Sequence, residues 1–128
     1  MSVRSVRLGS PRSEGEGTRI GTVRRPPRGV PKAQFASGNW YDVWFPTLAP
    51  SVDTMKLGQA ASTPAEWATF IRKYRSEMAT PDSKHALGLL AVLSQTSDFS
   101  VGCYCEDEAH CHRSVLRALL ADKGARLV

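Results

Sequence analysis

Residues 99–128 constrain the fold more than any other part of the chain. They begin with a segment, residues 99–105, that alternates in the period-two pattern of a strand. A helical apolar pattern over residues 115–120 follows and stops at Gly124, and residues 126–128 are predicted to form one last short strand. A helix that joins two strands usually crosses over right-handedly and makes them parallel neighbours. We therefore expect a Rossmann-like β-α-β unit at this end of the chain.

The rest of the chain predicts the remaining elements of an α/β fold. Short strands are indicated at residues 2–8 and 18–24, separated by a loop rich in Gly, Ser and Pro. Thr63-Pro64 and Thr80-Pro81 each place a capping hydroxyl before a proline, which is typical of the first turn of a helix. With 128 residues the chain has the length of one domain. We predict a single domain over residues 1–128, with a mostly parallel sheet and flanking helices.

All three cysteines of the chain lie within the nine positions from Cys103 to Cys111. An odd number of thiols in one short stretch does not suit a disulfide framework, which needs pairs spread across the fold. The stretch includes the end of the predicted strand at residues 99–105 and the loop that follows it. In a parallel sheet such loops open at the carboxyl edge, where open α/β sheets bind ligands. The cluster therefore locates a functional site.

One interpretation of this site is nucleophilic chemistry on an anionic ligand. The helix that begins near Cys111 presents free backbone N–H groups, which favour an anion and lower the pKa of a nearby thiol. His112 then acts as acid or base, and Arg113 binds a phosphate or carboxylate through two parallel hydrogen bonds. Cys105 is a second candidate thiol, and Glu106 is a candidate general base or orienting group. This interpretation predicts an enzyme, with its reaction and any cofactor unassigned.

Two other interpretations of the same stretch stay open. The thiols of Cys103, Cys105 and Cys111 with one of His110 or His112 have the composition of a zinc site, although Cys-x-Cys on a strand is not its typical spacing. In the second, Cys103 and Cys105 are small buried hydrophobic residues, a role that free cysteine fills well. The zinc interpretation predicts bound metal, whereas the second predicts no chemistry at these two positions.

The positive charge of the chain is concentrated at its N-terminal end. Residues 1–32 hold eight Lys or Arg against two Glu, whereas the remainder holds nine basic and ten acidic residues. Arg24, Arg25 and Arg28 lie in a proline-rich loop of this segment. Guanidinium groups match the geometry of phosphates, so we expect these three arginines to approach the anionic ligand.

The same basic segment allows a function of a different class, a nucleic-acid or partner-binding module. The aromatic residues around Trp40 and Trp44 would then stack on bases while the arginines follow the phosphates. Such binding weakens steeply with salt, which distinguishes it from a small-molecule site.

Membrane insertion and export are not predicted. The longest apolar run, residues 86–93, is far shorter than the roughly 20 residues that cross a bilayer. Residues 1–21 carry arginines but no apolar stretch of the kind found in signal peptides. We expect a cytoplasmic protein with reduced thiols and no membrane partner.

The cysteine stretch also carries a resemblance to a known family. Cys105-Glu106 followed by Cys111-His112-Arg113 resembles the signature of the domain of unknown function 488 (DUF488) family. Residues 7–12, 24–30 and 49–51 are similar to the N-terminal blocks of its YeaO-like branch, in which the Cys-His-Arg run is often missing. The resemblance implies a small α/β domain and no established reaction. Because Cys103 falls outside the shared signature, the resemblance favours a site made of Cys105, Glu106, Cys111, His112 and Arg113.

Overall fold

The sheet of this protein is built from four parallel strands. The computed structural model describes residues 1–128. Strand β1 spans Val3–Arg7, β2 spans Thr18–Gly21, β3 spans Val43–Trp44 and β4 spans Phe99–Cys103. Their order across the sheet is β1-β4-β2-β3, and every neighbouring pair is parallel. The predicted α/β class is thereby confirmed.

Four α-helices accompany the sheet: α1 (Val52–Ala60), α2 (Pro64–Met78), α3 (Pro81–Leu93) and α4 (His112–Asp122). The predicted starts of α2 and α3 are confirmed. Helix α1 was not predicted, because only one of its residues is buried and its apolar pattern is weak. None of the helices combines the length and the apolar character that crossing a membrane requires.

The main hydrophobic core lies between one face of the sheet and helices α2, α3 and α4. The strands contribute Val3, Ile20, Phe99 and Val101 to this core. The helices contribute Phe70, Tyr74, Met78, Leu87, Leu90, Val115, Leu116 and Leu120. Burial of these apolar side chains stabilises the packing of α4 against the sheet. It therefore determines where the loop between β4 and α4 lies.

The opposite face of the sheet is covered by the loop between β1 and β2. Arg19 on β2 is 0% exposed and donates to the Glu16 carboxylate at 2.7 and 2.9 Å. Its guanidinium also donates to the carbonyl oxygens of Ser10 and Asn39, and Glu16 accepts a hydrogen bond from the Ser100 hydroxyl of β4. Because β4 lies between β1 and β2, this network anchors the loop that passes over β4.

The C-terminal segment differs from the prediction in one respect. Residues 126–128 contribute a single parallel bridge, between Leu127 and Val3 of β1, instead of a strand beside β4. The Val3 N–H donates to the Arg126 carbonyl oxygen, and the Val128 N–H donates to the Val3 carbonyl oxygen. The expected adjacency is wrong because both hydrogen-bonding edges of β4 are already taken by β1 and β2.

Candidate functional site

The loops that follow β1, β2 and β4 meet at the carboxyl edge of the sheet and border one cavity of about 780 Å³. They contribute residues 7–10, 23–28 and 103–105 to its wall. Helices α1 and α2 supply another part of the wall, and residues 110–112 supply the part next to α4. A volume of this size is typical of small-molecule sites, which span roughly 300 to 1,000 Å³.

The wall of this cavity is strongly biased in charge. Four arginines, Arg7, Arg24, Arg25 and Arg28, contribute to it, whereas no aspartate or glutamate does. Charged groups of one sign lining a low-dielectric cleft raise the local concentration of the opposite charge. The cavity therefore favours an anion.

The loop after β2, residues 23–28, is called the arginine loop below. It is fixed by hydrogen bonds to backbone carbonyl oxygens rather than by ion pairs. Arg24 donates to the carbonyl oxygens of Ala49 and Pro50 at 3.0 and 3.1 Å, which holds it against the segment before α1. The Tyr104 hydroxyl donates to the Arg25 carbonyl oxygen at 2.8 Å and ties the loop to the end of β4. The side chains of Arg25 and Arg28 are exposed and form no ion pair. Their guanidinium groups are free to bind a ligand.

The three thiols come together on the same wall. Cys103 and Cys111 are buried, in a small apolar cluster with Leu8 and Val23, whereas Cys105 is exposed. The Sγ atoms of Cys103 and Cys105 are 3.7 Å apart. Cys103 therefore does fill a core position, but Cys105 does not.

The pKa values of the three thiols shift in different directions. Hydrogen bonds from the Cys103 and Cys105 thiols, and then the adjacent His112, lower the pKa of Cys111, although burial opposes them. Hydrogen bonds with Cys105 and Cys111, together with burial, raise the pKa of Cys103. The hydrogen bond with Cys103 lowers the pKa of Cys105, but Cys111 and burial raise it by more. Cys111 is thus the thiol of this cluster whose pKa is lowered.

The imidazole of His112 lies beside this thiol in a defined orientation. Its Nε2 atom is 2.8 Å from the Thr22 carbonyl oxygen, which can only accept, so Nε2 carries a proton. In the neutral ring, Nδ1 is then an acceptor, and it lies 3.9 Å from the Sγ atom of Cys111. The structure thus places a proton acceptor next to the thiol at the start of α4.

Comparison with protein families supplies the identity of the chain. A family model described as DUF488-N3a, the active DUF488-N3 subclade, matches residues 3–124. The chain belongs to the DUF488 family. The function of this family is not established. Comparisons with curated proteins and with solved structures found no match.

The residues predicted from the DUF488 signature divide into two groups in the structure. Cys105, Cys111 and His112 lie on the cavity wall, together with the predicted arginines of the loop after β2. Glu106 does not contribute to the wall; its side chain is 83% exposed and reaches Arg7 at 3.4 Å. Arg113 also lies off the wall.

In this DUF488 chain Arg113 is held by a contact within the fold. It is 4% exposed, and its Nη2 donates to the Cys105 carbonyl oxygen at 2.7 Å. This hydrogen bond joins the first turn of α4 to the segment that carries Cys105. The Arg113 guanidinium therefore fixes the position of the segment that carries Cys105 relative to the start of α4, next to Cys111.

Several wall residues were not predicted as part of the site. Among them are Arg7 at the end of β1 and Trp67 and Phe70 on α2. Arg7 could have been found, because it ends a predicted strand whose carboxyl edge was expected to face the site. The aromatic residues of α2 follow a core-facing stripe, and nothing in that pattern separates a cavity wall from the core.

The same part of the DUF488 chain could hold a metal ion. The Sγ atoms of Cys103 and Cys111 and a ring nitrogen of His112 lie within 4.8 Å of one another. Thiolate and imidazole are ligands that Zn²⁺ accepts in proteins. Since Nε2 is engaged by Thr22, Nδ1 is the nitrogen of His112 that would bind.

Proposed function

We propose that this DUF488 protein is an enzyme that binds a small phosphate-bearing compound in the cavity and uses the Cys111 thiolate as its nucleophile. The observation that carries the proposal is the composition of the wall, which combines four arginines and no carboxylate with the Cys111-His112 pair. A thiolate is the reactive form of cysteine, and a lowered pKa makes it available near neutral pH. That the matching subclade is described as active agrees with an enzymatic role.

Besides Cys111, four residues in or next to the wall have distinct parts in this proposal. Arg25 and Arg28, which are free of ion pairs, bind the phosphate by charge-assisted hydrogen bonds. His112 accepts the proton of Cys111 through Nδ1 as the thiolate displaces a leaving group from the substrate, and it donates that proton to the leaving group. Arg113 positions the loop after β4 through its hydrogen bond to the Cys105 carbonyl oxygen. The chemistry requires reduced thiols, which a cytoplasmic location would provide.

The competing nucleic-acid surface receives less support from the N-terminal segment. Arg12 is bound to the Asp42 carboxylate at 2.9 and 3.0 Å, and Arg19 is buried on Glu16. Arg12 and Arg19 contribute to the basic composition of the segment, but their charges are neutralised by carboxylates within the fold. Arg24, Arg25 and Arg28, which form no ion pair, line one cavity, which suits a small ligand.

The experiment that tests the proposal is protection of Cys111 from alkylation. We expect iodoacetamide, which is small enough to enter the cavity, to modify Cys111 at neutral pH, as located by mass spectrometry. Inorganic pyrophosphate should slow this modification, and the double substitution Arg25→Ala/Arg28→Ala should weaken the protection by about tenfold. The control, Arg72→Ala/Arg75→Ala, removes two exposed arginines of α2 and should leave protection unchanged. Modification of Cys111 that is slow and insensitive to pyrophosphate would overturn the proposal.

A second candidate function is zinc binding by Cys103, Cys111 and His112, supported by the 4.8 Å grouping of their ligand atoms. The hydrogen bond from Nε2 to Thr22 also supports it, because metal-bound imidazoles usually donate their other nitrogen to a carbonyl or carboxylate. Elemental analysis of the purified protein separates the two candidates. Stoichiometric zinc would replace the nucleophile by a metal site, whereas its absence removes the second candidate.

A further inference from the structure

The wall of the cavity has an aromatic character besides its positive charge. Six of the lining residues carry aromatic rings: Trp40, Trp67, Phe70, Tyr104, His110 and His112. A phosphate group alone cannot stack on aromatic rings. Flat π faces beside guanidinium groups are instead suited to a ligand that joins an aromatic ring to an anion.

Part of this wall is a continuous column of stacked rings. It runs from the buried Tyr74 through Phe70 and Trp67 to His110, with centroid separations of 6.0, 4.6 and 4.2 Å and interplanar angles of 6°, 19° and 20°. Trp67 stacks with both of its neighbours in the column. His110 is exposed and stacks on no ring other than that of Trp67, so it ends the column.

Two further rings of the wall, those of Trp40 and Tyr104, connect the aromatic surface to the arginine loop. Trp40 and Tyr104 meet edge to face with centroids 6.0 Å apart. Trp40 packs directly on Gly9, where an added Cβ would lie 2.9 Å from the indole ring, so the indole is held in place. Tyr104 holds the arginine loop through the Arg25 carbonyl oxygen. Aromatic and cationic groups of the cavity are thus positioned by one set of contacts.

We propose that the anionic ligand of this cavity is a nucleoside phosphate. Its phosphate binds Arg25 and Arg28, and its base stacks on the free face of His110 and extends the aromatic column. The inference rests on the proposed function, because it uses the same arginine-lined cavity, and it adds the chemical class of the ligand. A cavity of about 780 Å³ holds a nucleotide, whereas a lone phosphate would leave most of it empty.

A nucleoside phosphate has two sources, a free mononucleotide or a nucleotide unit of single-stranded nucleic acid. Arg12 is paired with Asp42 and Arg19 with Glu16, so neither arginine is available to bind the phosphates of a strand that extends beyond the cavity. Nucleic-acid binding depends on neutralising many phosphates along a strand. We therefore assign the site to a free mononucleotide.

Calorimetric titration of the full chain tests this inference. We expect AMP or UMP to bind about tenfold more tightly than ribose 5-phosphate, because stacking of the base adds to the phosphate contacts. His110→Ala should remove most of this preference while leaving the affinity for ribose 5-phosphate unchanged. His110→Phe keeps an aromatic ring and should retain the preference. His110 is exposed, so both variants are expected to fold, which circular dichroism verifies.

The outcomes distinguish this inference from the proposed function. Equal affinities for the nucleotides and for ribose 5-phosphate overturn the nucleoside assignment and leave the phosphate site intact. Binding of none of these compounds, with no pyrophosphate protection of Cys111, overturns both. A single-stranded oligonucleotide that binds no more tightly than AMP supports the free mononucleotide, and one that binds about tenfold more tightly overturns that source.

Discussion

The Nε2–H of His112 donates a hydrogen bond to the carbonyl oxygen of Thr22, 2.8 Å away. Thr22 directly follows β2, whereas His112 is the first residue of α4. The sheet therefore selects the tautomer of a residue on the helix, and it turns Nδ1 towards Cys111. The proposed chemistry depends on this orientation, since only an unprotonated Nδ1 can accept the proton of the thiol.

Replacing His112 by glutamine separates the two hydrogen bonds of the imidazole. We expect the amide of His112→Gln to keep a donor near the Thr22 carbonyl oxygen but to remove the acceptor beside Cys111. Alkylation of Cys111 at neutral pH should then slow by at least about tenfold, because the thiolate loses its proton acceptor. The free energy of unfolding should change little. An unchanged rate of alkylation would show that His112 does not activate the thiol.

The hydroxyl of Tyr104 is expected to matter for ligand binding more than for stability. Tyr104→Phe removes the hydrogen bond to the Arg25 carbonyl oxygen and frees the arginine loop. A hydrogen bond of this kind contributes about 1 kcal/mol, so we expect pyrophosphate to bind about fivefold more weakly. Isothermal titration calorimetry measures this change.

The matched control for this substitution is Tyr41→Phe. The Tyr41 hydroxyl is buried without a hydrogen-bond partner, and burial raises its pKa. Removing it should leave the affinity for pyrophosphate unchanged and the free energy of unfolding equal or higher. If the two variants weaken binding equally, the contact between Tyr104 and Arg25 does not position the loop.

The buried carboxylate of Glu16 predicts a pH dependence of stability. Burial raises the pKa of this group, but hydrogen bonds from Arg19, Ser100 and the Ser13 N–H outweigh it and lower the pKa from 4.5 to about 2. A carboxyl whose pKa is lower in the folded state stabilises the fold fully above pH 4.5, and this contribution is lost as the pH falls towards 2. The difference corresponds to about 3 kcal/mol.

Glu16→Gln should therefore lower the free energy of unfolding by about 3 kcal/mol or more at neutral pH, because the Arg19 charge stays buried. The loss should shrink as the pH approaches 2, where the wild-type carboxyl is itself protonated. The control is Glu14→Gln, whose side chain is exposed and which should change stability by less than about 0.5 kcal/mol. Urea denaturation across the acidic range measures both variants, and equal stabilities of the two would contradict the role of the buried pair.

The approach of Gly17 to β4 predicts an unequal effect of two similar substitutions. Gly15 and Gly17 both have φ +75°, so Ala at either position costs about 1 to 2 kcal/mol of backbone strain. A Cβ on Gly17 would also lie 2.0 Å from the Asp98 carbonyl oxygen, whereas a Cβ on Gly15 would meet nothing. We expect Gly17→Ala to destabilise the fold by more than about 3 kcal/mol and Gly15→Ala by far less. Similar melting temperatures for the two variants would be inconsistent with this packing.

The sequence predicts the elements of the fold better than their arrangement. The period-two pattern of residues 99–105 identifies β4, but periodicity does not show which strands flank it. Its position between β1 and β2 depends on long-range pairing, and for this reason the segment around Leu127 was placed beside the wrong strand. Helix α1 was not predicted, because it buries only Thr54 and so lacks an apolar face that the sequence could reveal.

For the site, residue type and spacing locate the thiols but not the contacts of their neighbours. Arg113 at a helix start has the features of a ligand-binding residue, yet its guanidinium is buried on the Cys105 carbonyl oxygen. Every residue has a backbone carbonyl, so the sequence does not indicate which one accepts a hydrogen bond from Arg113. The structure is needed to identify it. The same limit applies to His110, whose stacking on Trp67 joins residues far apart in the chain.

The decisive measurement is the ultraviolet absorbance of the thiolate as a function of pH, compared between the wild-type protein and Cys111→Ser. We expect the wild type to show a thiolate at pH values well below the ordinary thiol pKa of about 8.5, and Cys111→Ser to lack it. Thiolate absorbance that appears only near or above that value in both proteins would contradict a reactive Cys111.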